Sequence, residues 1–70
     1  MTNKEIVDGC NELAGLLYYS QGYHVPDGYR FDRASHPHEK SCWIMAVIAY
    51  DHIQGTDVEN ALDELESEEE

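Results

Sequence analysis

Pro37-His38-Glu39-Lys40-Ser41-Cys42-Trp43-Ile44-Met45-Ala46-Val47-Ile48-Ala49-Tyr50-Asp51-His52-Ile53-Gln54-Gly55 is the stretch on which the fold turns. A proline suits the first position of a helix, where its missing N–H would have no intrahelical partner anyway. Ser35 or His36 stands where a cap belongs, and Glu39 sets a negative charge against the positive end of the helix dipole. Gly55 is a natural C-terminal cap. From Cys42 to Tyr50 every residue is apolar in the broad sense, so a helix from Pro37 to about Ile53 is wetted on little of its circumference. Such a helix is either the centre of the domain or half of a dimer contact, and the central place is preferred.

Upstream, Thr2 and Glu5 form a capping box that starts a helix running from about Asn3 to Tyr19. Ile6, Cys10, Leu13 and Leu17, with Val7 and Ala14 beside them, recur at helical spacing and make one apolar stripe. Gly9 and Gly15 each cost this helix roughly 1 kcal/mol against alanine, so it depends on its neighbours and its glycines suit close approach to another helix. Residues 20–36 break the periodicity. Pro26-Asp27-Gly28 is a strong turn sequence, flanked by Tyr23 and Val25 before it and Tyr29 and Phe31 after it. A short β-hairpin over 23–31 is one reading. A structured loop pinned by its aromatics is preferred, because an isolated two-stranded ribbon is marginal.

Downstream, Thr56-Asp57-Val58-Glu59 reads as a second capping box opening a third helix from about Asp57 to Glu66, with Val58, Ala61, Leu62 and Leu65 inside. Ser67-Glu68-Glu69-Glu70 has nothing to bury and is expected to fray. The expectation is therefore an all-α, three-helix domain over 1–66, a long aromatic loop between the first two helices, and a disordered acidic tail at 67–70.

Seventy residues allow one domain with a small core. Fifteen Asp and Glu against four Lys and Arg give a formal net charge of −11. That excess excludes direct binding of nucleic acid through a basic face, and attraction to an anionic membrane. The nine-residue apolar run is half of what a membrane span needs. No positively charged, apolar leader opens the chain, and Cys10 and Cys42 form neither a CxxC pair nor a disulfide framework, so a soluble protein of the cytoplasm is the expectation. The charge is uneven. Residues 41–70 hold nine acids (Asp51, Asp57, Glu59, Asp63, Glu64, Glu66, Glu68, Glu69 and Glu70) and no Lys or Arg.

Glu5, Asp8 and Glu12 fall on one face of the first helix; Glu59, Asp63 and Glu66 do so on the third, where Asp57 and Glu64 add to them. Rows of carboxylates on a rigid body can imitate the phosphates of B-DNA, which presents one charge per roughly 1.7 Å of axis. These eight residues are the candidate partner-binding surface, and the partner they call for is a basic protein or nucleoprotein complex. The bland alternative is that the acids only confer solubility on a small structural module that dimerises through the second helix. The seven aromatics exceed what three helices can bury, so some stay partly exposed, and those near Arg30 and Arg33 offer a second candidate contact surface.

Other chemistry is poorly supported. His38 and Cys42 stand at i, i+4, a ligand spacing on a helix, with His36, Glu39, His24, His52 and Cys10 available to complete a zinc site in space. No CxxC or HExxH accompanies them, and Cys42 on an apolar face behaves as a small hydrophobe. A nucleophile at Ser41 or Cys42 would have little room for a walled pocket. An acyl-carrier attachment motif is absent, since Ser35 follows Ala34 and Ser41 follows Lys40. No cofactor, metal or catalytic residue is assigned, and a non-enzymatic protein is expected.

Gly22-Tyr23-His24-Val25-Pro26-Asp27-Gly28-Tyr29-Arg30-Phe31-Asp32, continuing through His36-Pro37-His38-Glu39 to Trp43-Ile44-Met45-Ala46, resembles small accessory proteins of tailed bacteriophages. The tiny, acidic, helical format is also similar to phage counter-defence proteins, anti-CRISPR proteins and DNA mimics among them. The resemblance implies an inhibitor that acts in the bacterial host cell on a nucleic-acid-handling complex. It assigns no functional residue.

Overall fold

A computed structural model describes residues 1–69. Helix α1 spans Asn3–Ser20, α2 Pro37–Gln54 and α3 Val58–Glu69, with a single 3-10 turn at Phe31–Arg33 between α1 and α2. No strand occurs among the described residues, so the segment 23–31 is a loop and the hairpin reading is set aside. Its side chains explain why. Val25 and Tyr29 pack down onto the core and Phe31 enters it, so the segment satisfies itself against the helices rather than against a second strand.

Local chemistry sets most of the helix ends. The Thr2 hydroxyl accepts from the Glu5 N–H and the Glu5 carboxylate accepts from the Thr2 N–H, both at 3.1 Å. His36 rather than Ser35 caps α2, its Nδ1 accepting from the His38 N–H at 3.2 Å. Gly55 ends α2 at φ 67°, a conformation that disfavours any residue with a Cβ. The second capping box does not form as expected. Asp57 caps α3 by accepting from the Asn60 N–H at 3.1 Å, while the Thr56 hydroxyl donates to Asp51 at 2.9 Å. Asp51 also accepts from the Val58 N–H at 3.0 Å, so the end of α2 holds the start of α3. Helix α3 runs on to Glu69 rather than stopping at Glu66, since no Gly or Pro interrupts a run of good helix formers. Of the tail expected to be disordered, Glu70 lies outside the described residues.

Helix α1, not α2, is the central element. Its start lies near Tyr50 and its end near His38 and Cys42, so α1 and α2 run antiparallel. Helix α3 packs mainly on α1 and touches α2 much less. Cys10 and Ala14 of α1 meet Phe31, Cys42, Ala46 and Val58 in the buried core. Gly9 allows close packing, because the Tyr50 hydroxyl stands 2.6 Å from where a Cβ would sit. The apolar run of α2 is covered on one side only. Ile44 is 59% exposed and Ile48 66%, with Met45 beside them on the outer face. Seventy residues supply too little protein to cover that second side.

Beside Phe31, buried Asp32 ties the loop to α1. Its carboxylate accepts from Arg30 Nε and Nη2, each at 2.8 Å, and from Asn11 Nδ2 at 2.9 Å. The Asn11 side-chain oxygen accepts from the Phe31 N–H at 2.6 Å. Burial pushes the Asp32 pKa up, but the hydrogen bonds from Arg30 and Asn11 outweigh it and leave the group below the ordinary carboxylate value. Glu39 of α2 accepts from the hydroxyls of Tyr18 in α1 and Tyr29 in the loop, which ties α2 to both.

Candidate functional site

The eight candidate carboxylates divide by what they touch. Glu5 serves the α1 cap, and its backbone and side-chain hydrogen bonds with Thr2 hold it below the ordinary glutamate range. Asp8 pairs with Lys4 at 2.6 Å on the exposed side of α1, a contact of small worth at the surface. Asp57 caps α3. Glu64 accepts from Asn3 Nδ2 at 2.7 Å and from Asn60 Nδ2 at 3.4 Å, which joins α3 to the start of α1. Glu12, Glu59, Asp63 and Glu66 are exposed and make no hydrogen bond or ion pair among the described residues.

These groups form two rows, one on α1 and one on α3. Glu59, Asp63 and Glu66 share one side of α3, and Glu64 stands roughly 100° round the helix from Asp63. Of the α3 acids, Glu64 is tied to α1. Each row lies on one helix, and like charges at these spacings cost a few tenths of a kcal/mol per pair in isolation.

Two features near Glu12 are absent from the sequence expectation. The outward stripe of α1 continues from Glu5, Asp8 and Glu12 into Leu16 and Tyr19, which are 61% and 69% exposed. The same i+3 and i+4 spacing runs through all five residues, so this acidic-to-apolar stripe was available to a helical reading. The loop folds back beside it and leaves a shallow hollow of about 480 Å³, open to solvent and lined among others by Glu12, Gly15, Leu16, Tyr19, Val25 and Asp27. A smaller apolar hollow of about 240 Å³ lies on the other side of Glu12 and Leu16, toward Tyr50 and Ile53. Asp27 came from the turn sequence alone, and nothing local signals that it lines the same hollow as Glu12.

The aromatics largely serve the fold. Tyr18 and Tyr29 meet Phe31 edge-on, with ring centroids 5.5 and 4.9 Å apart, and Tyr18 stacks on Tyr23 at 4.9 Å. The bond to Glu39, then burial, pushes the Tyr29 hydroxyl up to about 12. Arg30 is engaged by Asp32, and Arg33 lies 3.9 Å from the same carboxylate. The His/Cys reading finds no support in the geometry. No group of three or more metal-ligating side chains converges among the described residues. His36 is a cap, and Cys10 and Cys42 are buried thiols. Burial, with smaller contributions from Asp51 and Asp32, pushes Cys10 up to about 12, and burial also raises Cys42. Both are therefore poor nucleophiles and poor ligands. The Nε2 atom of His38 is buried without a hydrogen-bond partner among the described residues, its ring against Tyr18 and Tyr23.

Comparison with family models, with curated proteins and with solved structures finds no match. No helix among the described residues is long and apolar enough to cross a membrane.

Proposed function

We propose that this chain is a non-catalytic binding protein of the phage counter-defence kind, which occupies the basic nucleic-acid-binding surface of a host protein or complex through its two rows of carboxylates. The observation that carries the reading is that Glu12, Glu59, Asp63 and Glu66 stand exposed on two helices with no hydrogen bond or ion pair among the described residues. Their helical spacing sets a regular row of negative charge against a basic groove, and the net charge of −11 steers the encounter.

Capture from a bacterial lysate on immobilised protein, at low and at high salt, tests this. Basic nucleic-acid-binding proteins should be retained at low salt and released at high salt, and the Asp63→Lys/Glu66→Lys variant should retain none. Retention indifferent to salt would contradict the proposal. A second reading, a module that dimerises through α2, is favoured by the exposed outer face of Ile44, Met45 and Ile48. A tight dimer by sedimentation, with no affinity for basic proteins, would favour it over the first.

A further inference from the structure

We infer that the hollow between α1 and the Pro26-Asp27-Gly28 turn is a socket for a single arginine side chain presented by a basic protein partner. The inference rests on the acidic-surface reading and gives it a point of attachment. The hollow combines the two halves of a guanidinium site. Leu16 and Tyr19 form an exposed apolar wall, and Gly15, packed against Val25 and buried Phe31, forms a floor without a side chain. A methyl added at Gly15 would lie in ordinary contact, 3.8 Å, with each of those two side chains, so the position has room for a methyl and no more on that side. Glu12 from α1 and Asp27 from the turn both line it and supply two acidic side chains. Neither makes a hydrogen bond or ion pair among the described residues, whereas buried Asp32, close by in the chain, has arginine and asparagine partners.

The chemistry selects the occupant. An arginine carries an apolar stem that lies along aliphatic surface and a planar cationic head that stacks on an aromatic face. Its fork of donors reaches two carboxylates at once. A neutral apolar side chain would leave both carboxylates unanswered, and an acidic one would meet repulsion. The volume of about 480 Å³ exceeds a side chain's needs, so the head can enter with its first waters.

The test is an NMR titration of the whole chain at low ionic strength with three blocked tripeptides: acetyl-Gly-Arg-Gly-amide, its citrulline analogue and its lysine analogue. Citrulline keeps the shape of arginine and loses its charge. The arginine peptide should move the Gly15, Leu16 and Gly28 amides and the Leu16 and Val25 methyls in a saturable way. The citrulline and lysine peptides should bind at least tenfold more weakly. Glu12→Gln/Asp27→Asn should weaken the arginine peptide at least tenfold with its amide spectrum otherwise intact, since neither residue supports the fold. Gly15→Ala, which raises the floor without a clash, should weaken it as well. Equal binding of the citrulline peptide, shifts as large along Glu59, Asp63 and Glu66 as in the hollow, or an unaltered double variant would each overturn the socket. Loss of the socket with salt-sensitive capture of basic proteins intact would leave the acidic-surface reading standing. Saturable arginine binding without such capture would establish the socket and remove that reading.

Discussion

Replacing Asp32 by alanine should destabilise the protein far more than replacing Asp27, five positions away and equally acidic. The Asp32 side chain is 0% exposed and accepts three hydrogen bonds, two from Arg30 and one from Asn11. Breaking a buried ion pair typically costs about 3–5 kcal/mol because the abandoned partner stays desolvated. Here the partner left behind is the Arg30 side chain, 36% exposed, which recovers part of its hydration. The expected cost of Asp32→Ala is therefore ~2–3 kcal/mol, below the usual range for a buried pair. The reverse change, Arg30→Ala, strands the fully buried carboxylate and should cost more than Asp32→Ala, even with Arg33 at 3.9 Å. A domain of this length has roughly 4–10 kcal/mol in total, so either loss is a large fraction. With a slope of about 1 kcal/mol per molar urea, the Asp32→Ala midpoint falls by ~2–3 M, while Asp27→Ala stays within about 0.5 kcal/mol of the parent. The Asp32 pKa in the folded protein lies below its unfolded value. Its stabilisation is thus fully present above about pH 4, the unfolded value, and is lost as pH falls through the folded one. Asp32→Asn should lower stability at pH 7 and flatten the acid limb of the stability profile. A cost for Asp32→Ala below about 1 kcal/mol, or one matched by Asp27→Ala, would refute the reasoning.

Gly9→Ala gains about 1 kcal/mol of helix propensity, but it drives a methyl into the Tyr50 ring, an overpacking that typically costs about 1–3 kcal/mol. It should be neutral to destabilising alone and should become stabilising in a Tyr50→Ala background, as urea midpoints of the four proteins would show. Cys10 and Cys42 should react with a disulfide reagent at pH 8 only as fast as the protein opens, because both thiols are buried and their pKa values raised. Rapid labelling of either in native buffer would contradict that burial. Asp51→Ala removes the acceptor shared by Thr56 and the Val58 N–H. It should loosen α3 first, with hydrogen exchange accelerating over residues 58–66 before it does so in α1.

The helix ends were legible in the sequence where their chemistry is local. Thr2 with Glu5, Pro37 and Gly55 each act on neighbours within four residues, and the structure uses all three. The start of α3 was misread because Thr56 and Asp57 are both capping residues, and the choice between them falls to Asp51 in the preceding helix. Which helix is central was misread for a related reason. Apolar content ranks α2 above α1, but burial depends on how much neighbouring structure a face finds, and α1 packs extensively on both α2 and α3 where α2 packs extensively on α1 alone. The role of Asp32 was hidden because a balanced charge between two arginines looks the same whether it is buried or wet. The carboxylate rows followed from helical spacing, but their partners (Lys4, Asn3 and Asn60) and the hollow shared by Glu12 and Asp27 depend on contacts between distant segments.

The acidic rows are tested most directly by the salt dependence of affinity for a basic protein captured from lysate, measured with the parent chain and with Asp63→Lys/Glu66→Lys. The account predicts that log affinity falls steeply with log salt for the parent, and that the variant binds too weakly to measure at any salt. A flat dependence for the parent, or a variant that binds as the parent does, would contradict it.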